Sequence, residues 1–308
     1  MEKYYLHEDR FFSADTTIRK YAREIYSTIK DMPIISPHGH VDISMFAENR
    51  PFPNPTKLFL TPDHYVYRML YSQGITMEEL GIPAIDGIDV EQDPKKIWQL
   101  FAENYHLFNG TPSGNWLAHE FNVVFGIEEK PCRENAQIIY DYLQEKIDSP
   151  EYLPRALFEK FNIEVLTSTD AASDLLENHK KIKESGWNKK IIPCFRPDGV
   201  TDLSNKRWRE NLKALENSVC YEITNYHMFI KALEERRAFF KLMGATSTDH
   251  GVTYAYTHQL SDNEAEKIFS KALKENITED EASQFTAHML MEMARMSCED
   301  GLTMQIHV

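Results

Sequence analysis

Apolar positions near the start of the chain recur at helical spacing: Ile18, Tyr21, Ala22, Ile25, Tyr26 and Ile29 share one face over residues 13–30, with Ser13 or Asp15 available as N-cap. The pattern then changes. Residues 33–36 form a short apolar run that predicts a strand, and the run exits through Ser36-Pro-His-Gly-His-Val-Asp42. Asn49-Arg-Pro-Phe-Pro-Asn-Pro55 must be irregular, because each proline also pushes the residue before it out of the helical region. From about residue 61 to 149 no strand pattern occurs, and short amphipathic stretches separated by glycine turns predict several short helices. A structureless loop of that length is uncommon in a compact domain, so residues 43–160 are expected to form a helical insertion or lid after the first strand.

Beyond residue 160 strands and helices alternate. Strands are predicted at 162–170, 190–198, 245–250 and 301–308. Helices are predicted at 171–184, with Leu175, Leu176, His179 and Ile182 on one face, and at 224–243, stopping at Gly244. Two more follow at 263–274 and 279–298, the second opened by the capping box Thr278-Glu-Asp-Glu281. Such alternation implies parallel β/α units. Each strand leaves through polar residues: His38 and His40, Thr169 and Asp170, Arg196 and Asp198, Asp249 and His250, and His307. In a β/α barrel these exits converge on the face that carries the active site. A barrel needs eight strands and only about five are predicted, so the chain is expected to be one incomplete barrel domain over 1–308, the first part of a longer protein.

Composition narrows the partners. Lys and Arg number 34 against 48 Asp and Glu, a formal charge of −14 without a basic block, which argues against nucleic acid and anionic membranes. No apolar run reaches the length of a membrane span, and a cytoplasmic protein is expected. The four cysteines, Cys132, Cys194, Cys220 and Cys298, are scattered and are expected to be reduced, largely buried thiols.

In an extended segment His38 and His40 would point the same way, about 7 Å apart, and could reach one metal ion. Spacing alone favours the plainer reading, a pair of polar loop histidines, and the position at the end of an apolar strand is what raises the metal or substrate reading. In Pro62-Asp-His-Tyr-Val-Tyr-Arg68, His64, Tyr65 and Arg68 offer a proton carrier, a phenol and a fixed cation within about one helical turn. Their plain alternative is an amphipathic helix start with Asp63 at its N-terminus.

Six motifs occur in order: Ser-Pro-His-Gly-His-Val-Asp, Asp-His-Tyr-Val-Tyr-Arg, Leu-Thr-Ser-Thr-Asp-Ala-Ala-Ser-Asp, Phe-Arg-Pro-Asp, Thr-Asp-His-Gly and Met-Gln-Ile-His-Val. Together they resemble the N-terminal two-thirds of the uronate (glucuronate) isomerase family of the amidohydrolase superfamily. The resemblance implies a distorted (β/α)8 TIM barrel of metal-dependent hydrolase type. It also implies aldose–ketose isomerisation through an enediol, of D-glucuronate to D-fructuronate and D-galacturonate to D-tagaturonate. Carried over by motif, His38 and His40 would hold a divalent metal, zinc being the expected ion, with His307 facing the same site. His64 and Tyr65 would contact the hexuronate and assist proton transfer. Arg196 would bind its oxygens or carboxylate, and Arg68 would contribute to binding. A homo-oligomer is compatible with this reading. The plainer roles are an ion pair of Arg196 with Asp198 or Asp170, a structural His250, and Asp170 as a helix cap. The family's Asp-Ser-Arg signature on the last strand is not in these 308 residues, so a partial site is expected of them alone. The rival readings are a metal-dependent hydrolase of the same superfamily and a non-catalytic binding fragment.

Overall fold

A computed structural model describes residues 2–85, 87–253 and 255–307. They gather into two compact units. One comprises the residues up to Met32 with Asn49–Phe161, and the other Pro33–Glu48 with the residues from Asn162 onward.

The first unit is helical apart from a single bridge between Lys3 and Glu129. Its opening helix, Thr16–Ile29, is capped by Asp15, whose carboxylate accepts the N–H groups of Thr17 and Ile18; this settles the choice between Ser13 and Asp15. The helices Pro55–Phe59, His64–Tyr71, Pro94–Glu103 and Pro112–His119 begin behind the caps Asn54, Asp63, Asp93 and Thr111. Three of them place proline in the first turn, where its missing N–H has no helical partner to lose. Trp98, Phe101, Phe108 and Phe121 form the centre of an aromatic core, and the Trp98 indole N–H donates to the Ala136 carbonyl at 2.9 Å. Burying each ring contributes about 1.5–3 kcal/mol.

The second unit carries the sheet. Its strands among the described residues are β1 (Ile34–Ser36), β2 (Ile163–Thr167), β3 (Asp170–Ala171), β4 (Lys190–Ile192), β5 (Phe195–Arg196), β6 (Ser247–Gly251) and β7 (Thr303–His307). All pairings are parallel, in the orders β1-β2-β4 and β3-β5-β6-β7. The single strands expected at 162–170 and 190–198 are therefore each interrupted. Pro193, which has no N–H, stands in one gap, yet hydrogen bonds from Ser168 N to Ile192 O (3.0 Å) and Asp170 N to Cys194 O (2.9 Å) carry the ladder across. Five parallel tracks in chain order result.

Other expectations shift. The helix expected from 171 begins only at Glu177, since Ala171 belongs to β3 and Leu176 adopts a left-handed φ of 55°. Leu175, expected on one helix face with Leu176, His179 and Ile182, precedes the helix and is exposed, whereas those three are buried. The last strand spans 303–307, and residue 308 lies outside the described residues. The Thr278–Glu281 capping box forms and opens the helix Glu279–Asp300. All four cysteines are free, but only Cys194 is buried; Cys298, on a helix, and Cys220, just past the end of one, are exposed, and Cys132 is intermediate. Among the described residues no helix is long and apolar enough to cross a membrane.

Candidate active site

His38 and His40 stand in the irregular segment just past β1, not in a continued strand. Their side chains nonetheless converge, with Nε2 atoms 3.0 Å apart. Gly39 lets the segment pass close to the end of β2. A Cβ at that position would stand 3.0 Å from the Thr167 carbonyl, and the Gly39 carbonyl accepts a hydrogen bond from Thr169 Oγ1 at 2.8 Å. His307, on β7, completes the group: its ring centroid is 4.2 Å from that of His38, and one nitrogen from each of the three histidines lies within 4.8 Å of the others.

This set fits a metal ion. Two imidazoles bound to one tetrahedral zinc at about 2.0–2.1 Å have nitrogens about 3.3 Å apart, close to the separation seen. Burial pushes the His38 imidazole below its ordinary value, outweighing the pull of Asp249, and so favours the neutral form that ligates. His38 Nδ1 is buried and has no hydrogen-bond partner.

Asp249, on β6, is fully buried behind the histidines. Its Oδ1 is 3.0 Å from His307 Nδ1 and 3.8 Å from His38 Nδ1, while Oδ2 is 3.1 Å from Arg196 Nη1. None of these contacts has hydrogen-bond alignment, so charge holds the carboxylate. Because Asp249 faces the Nδ1 side of His307, Nε2 is left for a ligand or proton. Arg196, at the end of β5, donates from Nε to Asp198 Oδ2 at 2.7 Å, and Asp198 also accepts the Gly251 N–H at 2.9 Å. The ion pair with Asp198 is thus real, and that with Asp170 does not form. Nη2 is left over, one-third of the side chain being exposed.

Gly251 is the residue that lets Arg196 lie there: a Cβ would come within 2.5 Å of Nη2 and 3.0 Å of Asp198 Oδ2. Gly251→Ala is therefore expected to displace the guanidinium and raise the substrate KM about tenfold, the equivalent of about 1.4 kcal/mol, with a smaller change in kcat. Steady-state kinetics that leave KM unmoved would speak against Arg196 as a substrate contact.

Beside this group runs a second polar network. Ser168 Oγ donates to Asp170 Oδ2 at 2.6 Å and lies 2.9 Å from His179 Nε2. Asp170 thus serves neither Arg196 nor a helix N-terminus. Burial pushes Asp170 up to about 6 and His179 down to about 4. The consequences for stability oppose one another. Between about pH 6.5 and 4 the unfolded chain binds a proton at His179 that the folded chain refuses, so this contribution weakens as pH falls. Between about pH 4 and 6 the folded chain keeps a proton on Asp170 that the unfolded chain has lost, so this contribution weakens as pH rises. His179→Gln leaves the second slope alone: the variant is expected to gain stability relative to the parent as pH falls from 6 to 4, by up to about 1.4 kcal/mol per pH unit. Parallel urea-denaturation profiles for the two proteins would refute this.

His250 is a buried structural residue, its Nε2 2.9 Å from Thr248 Oγ1 and its imidazole pushed down to about 3 by burial. In the helical unit, His64 and Tyr65 open the His64–Tyr71 helix, with the Asp63 carboxylate capping the N–H groups of Tyr65 and Val66. Their rings are 4.2 Å apart, and Trp116 meets Tyr65 edge-on at 6.2 Å. Arg68 follows one turn later, exposed and with no ion-pair partner among the described residues. The structure thus brings His38, His40, His307 and Arg196 together in one unit, and groups His64, Tyr65 and Arg68 in the other. Sequence reasoning named Asp249 only as a polar strand exit, without a role, and did not single out Gly251; both stand in the motif Thr248-Asp-His-Gly251, where the histidine drew attention away from the aspartate.

The family model for glucuronate isomerase matches residues 5–308. A uronate isomerase of Nostoc punctiforme is 52% identical over 303 residues, covering 98% of this chain and 64% of the relative. One of Phenylobacterium zucineum is 46% identical, with 98% and 63% covered. Among solved structures, a glucuronate isomerase from Caulobacter crescentus superposes with a TM-score of 0.95 at 42% identity, over 99% of this chain and 64% of that one. The chain therefore spans a little under two-thirds of the length of the relatives it matches, and shares their α/β fold over that span. The chain belongs to the glucuronate isomerase family.

Proposed function

We propose that the protein contributes the metal-binding, substrate-holding part of an aldose–ketose isomerase that interconverts D-glucuronate and D-fructuronate, and D-galacturonate and D-tagaturonate. The observation that carries this reading is the convergence of His38, His40 and His307 on one point backed by the Asp249–Arg196 pair, all at the exits of parallel strands. Strand exits are where β/α folds place their chemistry, and the reading includes closure of the tracks into an eight-stranded barrel. Zinc is the proposed ion, because three neutral imidazoles suit it and leave a position open. When bound, the metal supplies Lewis-acid stabilisation of charge developing on a substrate oxygen.

The chain's own residues divide the remaining work. Arg196 already has two carboxylate neighbours, so its spare Nη2 suits a neutral or alkoxide sugar oxygen better than a full counter-charge. Arg68, with no ion-pair partner among the described residues, is the better cation for the hexuronate carboxylate. His307, oriented through Nδ1 by Asp249, presents Nε2 to the site. His64 and Tyr65 are assigned to proton transfer between C2 and C1, the step that an enediol route requires. Such a protein would work in the cytoplasm on a small anionic sugar.

The test follows isomerisation in D2O by proton NMR, using zinc-loaded protein. The subject is the 308-residue chain, alone and continued past residue 308 with the unmatched third of the Nostoc punctiforme relative. An enediol route washes solvent deuterium into C1 of the ketose. Ketose that forms without label contradicts the proton-transfer assignment. Hydrolysis of esters or amides in place of isomerisation moves the protein to the hydrolases of the superfamily.

A further inference from the structure

The helical unit carries a cluster of side chains whose polar groups are left unengaged. His64 and Tyr65 open the His64–Tyr71 helix, and Arg68 shares a face with Tyr65 one turn later. Trp116, on the Pro112–His119 helix, meets the Tyr65 ring edge-on at 6.2 Å. Among the described residues none of these four side chains has a hydrogen bond to protein. Trp98 and Trp208 show the contrast: both are buried, and their indole N–H groups donate to the carbonyls of Ala136 and Val200. Trp116 is 54% exposed and Tyr65 56%.

The exposure of Trp116 is built into its helix. Thr111 caps that helix, its Oγ1 accepting the Gly114 N–H at 3.0 Å and donating to the Phe108 carbonyl at 2.8 Å. Gly114 permits the close approach, since a Cβ there would collide with the Phe108 carbonyl. With Leu117 and Ala118 buried, Trp116 is turned outward beside Tyr65.

We infer that Trp116 is a further substrate-contact and specificity residue, its indole covering a C–H face of the hexuronate whose carboxylate Arg68 takes. The inference rests on the reading of His64, Tyr65 and Arg68 given above. A sugar presents C–H faces between its hydroxyls, and such a face packs on an aromatic ring while the indole N–H donates to a neighbouring hydroxyl. The surroundings select this ligand: the platform adjoins a phenol and shares its helix with an unpaired cation, a combination suited to a small anionic polyol. A protein partner suits it poorly. Two half-exposed rings offer about 200 Å², against about 800 Å² per partner in a stable interface.

The test places 5-fluorotryptophan in the zinc-loaded chain continued with the unmatched third of the Nostoc punctiforme relative. The Trp116 fluorine resonance is identified by its loss in Trp116→Phe. D-glucuronate is expected to shift that resonance saturably and to leave those of buried Trp98 and Trp208 in place. In steady-state kinetics Trp116→Ala is expected to raise the KM for D-glucuronate about tenfold while kcat changes less than about threefold, and Trp116→Phe is expected to restore most of the loss. An unmoved Trp116 resonance in a protein that turns over D-glucuronate overturns the inference and leaves the isomerase reading standing. A saturable shift without turnover does the reverse, and neither shift nor turnover overturns both. A fall in kcat at unchanged KM also overturns the inference, since Trp116 would then act only by holding Tyr65.

Discussion

Arg237→Ala is expected to destabilise the strand-bearing unit by about 3–5 kcal/mol, the cost of removing one partner from a buried ion pair. The Arg237 side chain is 1% exposed. Its Nε donates to Asp300 Oδ2 at 2.6 Å, and Nη2 reaches both Asp300 Oδ1 (3.0 Å) and Ser297 Oγ (2.9 Å). The guanidinium also lies over the Phe195 ring, 5.7 Å from its centroid. These contacts clamp the Tyr226–Leu242 helix to the end of the Glu279–Asp300 helix, and Asp300 in turn accepts the Leu302 N–H at 2.9 Å. Burial works against the Asp300 charge, but Arg237 and that N–H outweigh it and hold the carboxyl below its usual range. Alanine leaves this carboxylate half-enclosed without its cation and opens a cavity among aromatic rings. Arg237→Met, which fills the space, is expected to recover part of the loss. Urea denaturation reads both; a loss under about 1 kcal/mol for the alanine variant would contradict the clamp. The clamp also sets where β7 begins, so the same substitution should weaken the placement of His307.

His40→Ala is expected to reduce zinc affinity by at least about 100-fold, and Asp249→Asn by about 10- to 100-fold. The two act differently. In the proposed site His40 would offer a ligand nitrogen 3.0 Å from that of His38, whereas Asp249, 3.0 Å from the far nitrogen of His307, would fix which one faces the metal. Asparagine can still approach Nδ1, but it loses the charge that favours a proton there and that pairs with Arg196. Chelator-competition titration of the 308-residue protein measures both changes. Equal and undiminished affinity would show that zinc binds elsewhere. A loss for His40→Ala with none for Asp249→Asn would leave Asp249 only as the partner of Arg196.

Much of this architecture is legible in the sequence where local signals are strong. The caps at Asp15, Asp63 and Thr278, the stop at Gly244 and the polar strand exits all act within a few residues. What escaped is non-local. The breaks at Ser168 and Pro193 depend on which neighbour completes the ladder, and the delayed start at Glu177 depends on Ala171 staying in β3 and Leu176 turning left-handed. At the site, the histidines and Arg196 could be picked out by their chemistry. Asp249 could not be ranked above His250, because only the fold reveals that one faces the histidine cluster while the other turns into a hydrogen bond with Thr248. Gly251 is invisible without the guanidinium that lies against it.

The most direct test of the isomerase reading is conversion of D-glucuronate to ketose by the zinc-loaded chain continued with the relative's unmatched third, beside its Arg196→Ala variant. The account predicts ketose formation by the parent and a loss of about 10²-fold or more in kcat/KM for the variant, as expected when a charged contact to the reacting sugar is removed. Absence of ketose from a folded, zinc-loaded parent, or an Arg196→Ala variant as active as the parent, would contradict it.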